Sequence, residues 1–339
     1  MQNLITSPYP WQQSQWDYLQ QRRQNKHLPH ALLLAGPKGL GKPDFALLFA
    51  KTMLCENNTS NGYPCAKCHA CSMFQAESHP DVYLVQPEEP GKAIKIDQVR
   101  ELIKQLLQTS LKNSYKIIIL QPAEAMNVAA ANSLLKILEE PPANTLFLLI
   151  SDELNRLSAT IRSRCQLVRF TPPTQEQAKQ WLAPHIAAGQ SIELLLSLAE
   201  QAPLEALAQI REAKLQQREE LFSCLQSLSE GKADPVQTAS KWVKINQQEI
   251  LAVLIGIIID CIRLSTGLST DVLKNTDKIA FIQKITHAVP GFKLFTYLDE
   301  LYEWKRQLNT GISLNQQLVV ENLFCKWSEH AKIANNPAI

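Results

Sequence analysis

The chain has 339 residues, 45% hydrophobic and 19% charged. That balance excludes large-scale disorder and leaves room for two or three domains. Its 34 basic and 32 acidic residues leave a net charge of +2, so no overall field draws it to nucleic acid or to a membrane, and any DNA contact must be local or shared.

The opening MQNLITSPYPWQQSQW has no basic stretch followed by an apolar one, so no secretion signal is expected. The most apolar run, ILAVLIGIII at 250–259, is about half of the roughly 20 residues that a membrane crossing needs and reads as a buried helix. A cytoplasmic location follows as the expectation, with the eight cysteines reduced and free for metal or packing.

The first element is HALLLAG at 30–36, a short apolar run that reads as a strand. GPKGLGKPD follows at 36–44, with Gly36, Gly39, Gly41 and Lys42 in the pattern G-x-x-x-x-G-K of a phosphate-cradling loop. A helix after it completes the strand, turn and helix that the motif requires. Pro43 stands where a Ser or Thr would ligate Mg²⁺, and it also lacks a backbone N–H. Proline is tolerated in a first helical turn, so the fold is expected to survive while productive ATP and Mg²⁺ binding is not.

Cys55, Cys65, Cys68 and Cys71 come next, spaced C-x₉-C-x₂-C-x₂-C in an insertion at 55–71. Two-residue gaps let neighbouring thiolates converge on one ion, and four of them close a tetrahedral structural zinc site. His69 and His79 lie nearby but are not needed as ligands. Cys224, Cys261 and Cys325 fall in apolar helical stretches and read as small core residues.

Further strands are expected at DVYLVQP (81–87), YKIIIL (115–120), TLFLLIS (145–151) and QLVRF (166–170). Continuous Leu, Ile and Val runs separated by helices are the pattern of a parallel sheet buried on both faces. A helix from residue 96 takes Asp97 as its N-cap, and NVAAANSLLKILEEPP from 127 is a helix stopped by Pro141 and Pro142. The run at 116–120 should end in an acidic pair that holds metal and activates water, yet it ends in Gln121 and Pro122. Glu124 stands two residues too far along to serve as a substitute.

LSATIRSRCQLVRF sets Ser163, Arg164 and Cys165 just before the last strand, with Arg162 and Arg169 close by. In ring-shaped ATPases an arginine at such a place reaches a neighbour's γ-phosphate. After Thr171, Pro172 and Pro173 the chain reads as helical throughout. The expected organisation is an α/β domain over 1–170, a small helical lid over 171–210 and an all-α C-terminal domain over 211–339.

Four segments, HALLLAGPKGLGK, the four-cysteine insertion, AAANSLLKILEEPP and IRSRCQ, make the chain resemble the AAA+ clamp-loader family of bacterial DNA polymerase III. It is most similar to the delta-prime branch and more distantly to the tau/gamma motor subunits. Motor subunits carry an intact loop hydroxyl, an acidic pair and a sensor arginine in the lid. Here those places hold Pro43, Gln121 with Pro122, and Leu204 in EQAPLEALAQI.

The resemblance implies a noncatalytic subunit of the loader, part of the DNA polymerase III holoenzyme. Its C-terminal helices would join a collar, and Arg164, supported by Ser163 and Cys165, would enter the ATP site of an adjacent motor. Implied partners are the tau/gamma and delta subunits, with the sliding clamp and primed DNA met through the complex. Two other readings are an active ATP-hydrolysing motor using Lys42 and a zinc-dependent DNA-binding regulator. The cysteine loop offers the latter Lys67 and His69 but also Glu56, and no basic run.

Overall fold

The computed structural model describes residues 5–89, 91–107, 115–186, 190–211, 214–308 and 315–332. In chain order the first elements are α1 (Gln13–Gln24), β1 (Ala31–Ala35), α2 (Lys42–Leu54), α3 (His69–Gln75), β2 (Val82–Val85), α4 (Ile96–Leu107) and β3 (Lys116–Leu120). They continue with α5 (Val128–Glu139), β4 (Thr145–Ser151), α6 (Ala159–Arg162), β5 (Gln166–Arg169), α7 (Gln175–Leu182), α8 (Ile192–Leu198) and α9 (Pro203–Arg211). The rest are α10 (Lys214–Ser229), α11 (Pro235–Trp242), α12 (Gln247–Ser265), α13 (Ile279–Ala288), α14 (Gly291–Leu308) and α15 (Gln316–His330). The described residues fall into two compact units, one drawn from Met1–Trp181 and Ala202–Glu205, the other from Leu182–Gln201 and Ala206–Ile339.

All five expected strands form and pair in parallel in the order β2-β3-β4-β1-β5. Their side chains divide strictly by the two-residue period of a strand. Leu32, Leu34, Ile117, Ile119, Leu146 and Leu148 enter one core with Trp16 of α1 and Phe45 and Phe49 of α2. Leu33, Ile118, Leu120, Phe147 and Leu149 enter the other with Leu102 of α4 and Leu134 and Leu138 of α5. Both faces are covered, which is why the strands read as unbroken apolar runs. Each such side chain stabilises the unit by roughly 1.5–3 kcal/mol, so the sheet makes a firm base for the loops at its carboxyl edge.

Helix α5 follows the sequence closely: the Asn127 side chain accepts from Ala130 N, and the helix ends at Glu139 before the two prolines. Helix α4 departs from it. The helix begins at Ile96, so Asp97 lies inside the first turn rather than capping it; Gln98 Oε1 instead accepts from Lys95 N at 2.9 Å. An acid in the first turn still meets the positive end of the helix dipole, which explains why the same residue suits both positions.

In the second unit, helices α10 to α15 enclose one core around α12. The run at 250–259 is indeed a buried helical segment, with Ile250, Leu251, Leu254, Ile257 and Ile258 all closed to solvent. Among the described residues no helix is long and apolar enough to cross a membrane. Inside this core Trp327 Nε1 donates to Leu225 O at 2.9 Å, and the fully buried Asp260 accepts from the backbone N–H groups of Lys274 and Asn275 at 2.9 and 2.8 Å, whereas the buried Tyr297 hydroxyl has no hydrogen-bond partner among the described residues. Cys261 is a core residue and Cys224 packs at its edge. Cys325 differs from expectation, since it is only half-buried and stays outside that cluster.

Candidate functional site

Strands β3, β4 and β1 are neighbours, so the residues that follow them (Gln121, Asp152 and Gly36) share the carboxyl edge of the sheet, where open α/β sheets place their ligands. The Gly36–Lys42 loop sits there and is closed on three sides. A side-chain carbon at Gly36 would stand 2.1 Å from the carbonyl oxygen of Phe170. At Gly39 (φ +76°) it would stand 2.5 Å from Glu205 Cβ, and at Gly41 (φ +77°) 2.5 Å from the Tyr9 ring. The left-handed backbone at the last two positions is itself one that side chains resist.

The neighbours that close the loop also bond to it. Gln12 Nε2 donates to Leu40 O at 2.7 Å and to Gly41 O at 3.0 Å, and Trp11 Nε1 donates to Leu40 O at 3.0 Å. Tyr9 stacks on Trp11 with ring centroids 5.0 Å apart, and Trp181 meets both edge-on. The Tyr9 hydroxyl donates to Asp44 Oδ2 at 3.0 Å, and burial raises the Asp44 pKa in spite of that bond. On the far side, Leu204 N donates to Gly39 O at 3.2 Å and Lys38 pairs with Glu205 at 3.2 Å.

Lys42 is the residue that would meet a β- or γ-phosphate. Its side chain is 1% exposed, and its ammonium donates to Gly36 O at 2.6 Å, to Pro37 O at 2.7 Å and to Asp152 Oδ1 at 2.6 Å. Three donors meet three acceptors of the same chain, which satisfies the ammonium completely. Asp152 was not singled out in the sequence. The only available signal was an acid directly after the TLFLLIS strand, which acquires meaning once β4 is known to lie beside β1.

At the end of β3, Gln121 N donates to Val85 O at 2.9 Å, and the two residues that follow the strand, Gln121 and Pro122, carry no carboxylate. Glu124 Oε1 accepts from the backbone N–H groups of Asp152 and Glu153 at 2.9 and 3.1 Å, tying the loop after β4 in place, while its buried Oε2 has no hydrogen-bond partner among the described residues.

Arg164 lies between α6 and β5. Ser158 caps α6 by accepting from Ile161 N, and Ile161 is buried in the core beside α5, so the turn that carries the arginine is firmly seated. The arginine is 30% exposed. Its Nε donates to Glu139 Oε1 at 2.8 Å, Nη2 donates to the same oxygen, and Nη1 donates to Thr160 O at 2.9 Å. Ser163 Oγ, which also donates to Thr160 O, lies 3.5 Å from Nη1. Burial pushes the Cys165 thiol up to about 12, which makes it a packing residue beneath the turn rather than a nucleophile. Arg162 and Arg169 are exposed. Glu139, the main partner of Arg164, gave no signal of its own in the sequence.

The sulfur atoms of Cys55, Cys65, Cys68 and Cys71 all lie within 4.8 Å of one another, and Cys55 Sγ is 3.9 Å from Cys68 Sγ. A tetrahedral zinc with bonds near 2.3 Å requires sulfurs about 3.8 Å apart, so this donor set fits a metal ion. Backbone N–H groups already point at the sulfurs: Cys65 N to Cys55 Sγ at 3.2 Å, Cys68 N to Cys65 Sγ at 3.3 Å and Cys71 N to Cys68 Sγ at 3.4 Å. N–H bonds from Lys67 and Cys68 lower the Cys65 thiol to about 6. His79 stands outside the cluster, its Nδ1 accepting from Asp81 N at 3.2 Å.

A family model described as DNA polymerase III, delta subunit, matches residues 11–174, and one described as DNA polymerase III, delta subunit, C terminal, matches residues 212–329. Among solved structures, a DNA polymerase III gamma subunit-related protein of Thermotoga maritima aligns with a TM-score of 0.45 at 20% identity, over 93% of this chain and 99% of that one. The parallel sheet, the glycine loop at its carboxyl edge and the matching family models together define a subunit of the DNA polymerase III delta type. DNA polymerase III subunit delta' of Pseudomonas aeruginosa is 32% identical over 322 residues, 94% of this chain and 97% of that protein, and the Escherichia coli K12 subunit delta' is 30% identical over 325 residues, 94% of each. The chain belongs to the DNA polymerase III subunit delta' family.

Proposed function

We propose that this clamp-loader subunit does not hydrolyse ATP and instead lends Arg164 to the ATP site of a neighbouring motor subunit. The observation that carries the reading is the state of Lys42, whose ammonium is bonded to Gly36 O, Pro37 O and Asp152. Pro43 supplies no hydroxyl for Mg²⁺, and Gln121 supplies no carboxylate. A motor would need all three groups free and in place at once. Arg164, by contrast, is partly open to solvent, and an arginine offered across a subunit boundary neutralises the charge that develops as the phosphoryl group transfers.

The subunit then acts by position. Its partners are the tau/gamma motors and the delta subunit, its C-terminal helices join their collar, and it meets the sliding clamp and primed DNA through the complex. The four thiolates hold one structural zinc with no open coordination place, so the metal braces the insertion and takes no part in chemistry. Action on primed DNA inside the cell places the subunit in the cytoplasm.

The test uses the reconstituted loader. The lone chain is expected to give no ATP turnover, and Arg164→Ala is expected to leave assembly intact while depressing DNA-stimulated ATPase and clamp loading. Steady hydrolysis by the lone chain that Lys42→Ala abolishes, or full loader activity with Arg164→Ala, would defeat the reading.

A further inference from the structure

We propose that Glu139 is the positioning residue for Arg164: it holds the guanidinium at one orientation so that its outer edge is ready for a partner's phosphate. This rests on the reading of Arg164 as the residue given in trans.

The first observation is the geometry. Glu139 Oε1 accepts from both Nε and Nη2 of Arg164, while Nη1 donates to the Thr160 carbonyl at 2.9 Å. Bonds on two edges of a planar, rigid group fix both its plane and its rotation. The five N–H groups can be followed one by one. Nε–H and one N–H of Nη2 go to Glu139, and those of Nη1 go to Thr160 O and, at 3.5 Å, to Ser163 Oγ. The second N–H of Nη2 lies beyond these bonds, and the Ser163 contact is long enough to be exchanged for a stronger acceptor. A phosphate oxygen can therefore be met without releasing Glu139.

The second observation is the place of Glu139 in its helix. It is the last residue of α5, followed at once by Glu140 and two prolines. Acids at a helix C-terminus face the negative end of the dipole and are locally unfavourable. A residue that goes against its local preference needs a compensating partner, and Arg164 supplies it from 25 residues away. The base under Glu139 is rigid, because Leu134, Ile137 and Leu138 of α5 are buried in the core that also takes Ile161 of α6. The carboxylate and the backbone of the arginine turn are thus attached to one packed body.

Glu139 does not lock the arginine away. Its side chain is 50% exposed and that of Arg164 is 30% exposed, and ion pairs so open to water are weak enough to yield to a phosphate. The energetic use of the pair is orientation: an arginine already held in its working rotamer loses less freedom when it meets the transition state.

The experiment is a four-way comparison in the reconstituted loader: unaltered subunit, Glu139→Ala, Arg164→Ala and the double substitution, with Glu139→Gln as the variant that retains an acceptor. The expected result for Glu139→Ala is a fall of about tenfold in kcat for DNA-stimulated ATPase, with KM for ATP within about twofold of the original and with assembly unchanged. Glu139→Gln should restore most of the rate, and Glu139→Ala should add nothing in the Arg164→Ala background. In the free subunit, the Arg164 Nε–H signal in ¹⁵N NMR should be distinct and should merge with those of mobile arginines in Glu139→Ala. An unchanged kcat, or an equal further loss in the Arg164→Ala background, overturns the positioning role. If Arg164→Ala itself has no effect, the reading in trans falls and Glu139 falls with it; if Arg164→Ala is damaging and Glu139→Ala is silent, only the positioning role is lost.

Discussion

Lys42 and Asp152 form an ion pair of 2.6 Å in which the lysine is sealed from solvent and the aspartate is about a third open. The loop lysine is thus paired with an anion of its own chain. On the proposal that this lysine is structural, its removal should be read in stability. Lys42→Ala strands Asp152 and two loop carbonyls, and should lower the unfolding free energy by about 1–3 kcal/mol, discounted from a fully buried pair because Asp152 is partly solvated. Urea unfolding monitored by tryptophan fluorescence measures it, and an unaltered midpoint would deny the lysine this role.

Two glycines separate strain from crowding. Gly41 and Gly231 both have positive φ, +77° and +67°, but a Cβ at Gly41 meets the Tyr9 ring at 2.5 Å whereas one at Gly231 meets nothing within 4 Å. Gly231→Ala should cost about 1 kcal/mol, the penalty of the left-handed backbone alone. Gly41→Ala should cost at least about 1 kcal/mol more, because it also pushes Tyr9 off Trp11 and Asp44. Equal losses in thermal melts would mean that Tyr9 does not press on the loop.

Removing the metal should act locally. On the proposal that the four thiolates hold a structural zinc, a strong chelator or Cys68→Ser should release one zinc per chain. The 55–75 region should then become sensitive to protease while the sheet stays folded, since the sheet has its own core on both faces. Elemental analysis and limited proteolysis report the two effects. Cleavage that spreads into the strands would show that the module supports the whole unit.

Acid should weaken the second unit through Asp277. Arg218, buried against the Phe222 ring, donates to both Asp277 oxygens at 2.8 Å and to Asn275 Oδ1 at 2.9 Å. Burial raises the Asp277 pKa, but the Arg218 bonds and charge together outweigh it, leaving the group below its ordinary value of 3.8. A carboxyl depressed on folding stabilises above its unfolded pKa and loses that stabilisation as pH falls through the folded one. Asp277→Asn should therefore be less stable than the unaltered chain by about 1 kcal/mol at pH 7, an amount reduced for partial exposure. The gap should close below pH 3.8. Urea titrations at pH 7 and in strong acid test this, and a gap that persists in acid would assign the effect to packing.

Much of the molecule was legible before any coordinates because it depends on near neighbours in the chain. Five apolar runs gave five strands, and the four cysteines announced their cluster by spacing. Helix ends were less secure, as Asp97 showed, because several first-turn positions suit an acid equally well. What only the tertiary structure decided is who faces whom. Asp152 meets Lys42 because β4 lies beside β1, Tyr9 meets Gly41 because the segment before α1 folds over the loop, and Glu139 meets Arg164 because α5 and α6 share one core. Periodicity and spacing specify which face of an element is apolar, but pairs of charges between elements follow from strand order and packing, which no local pattern encodes.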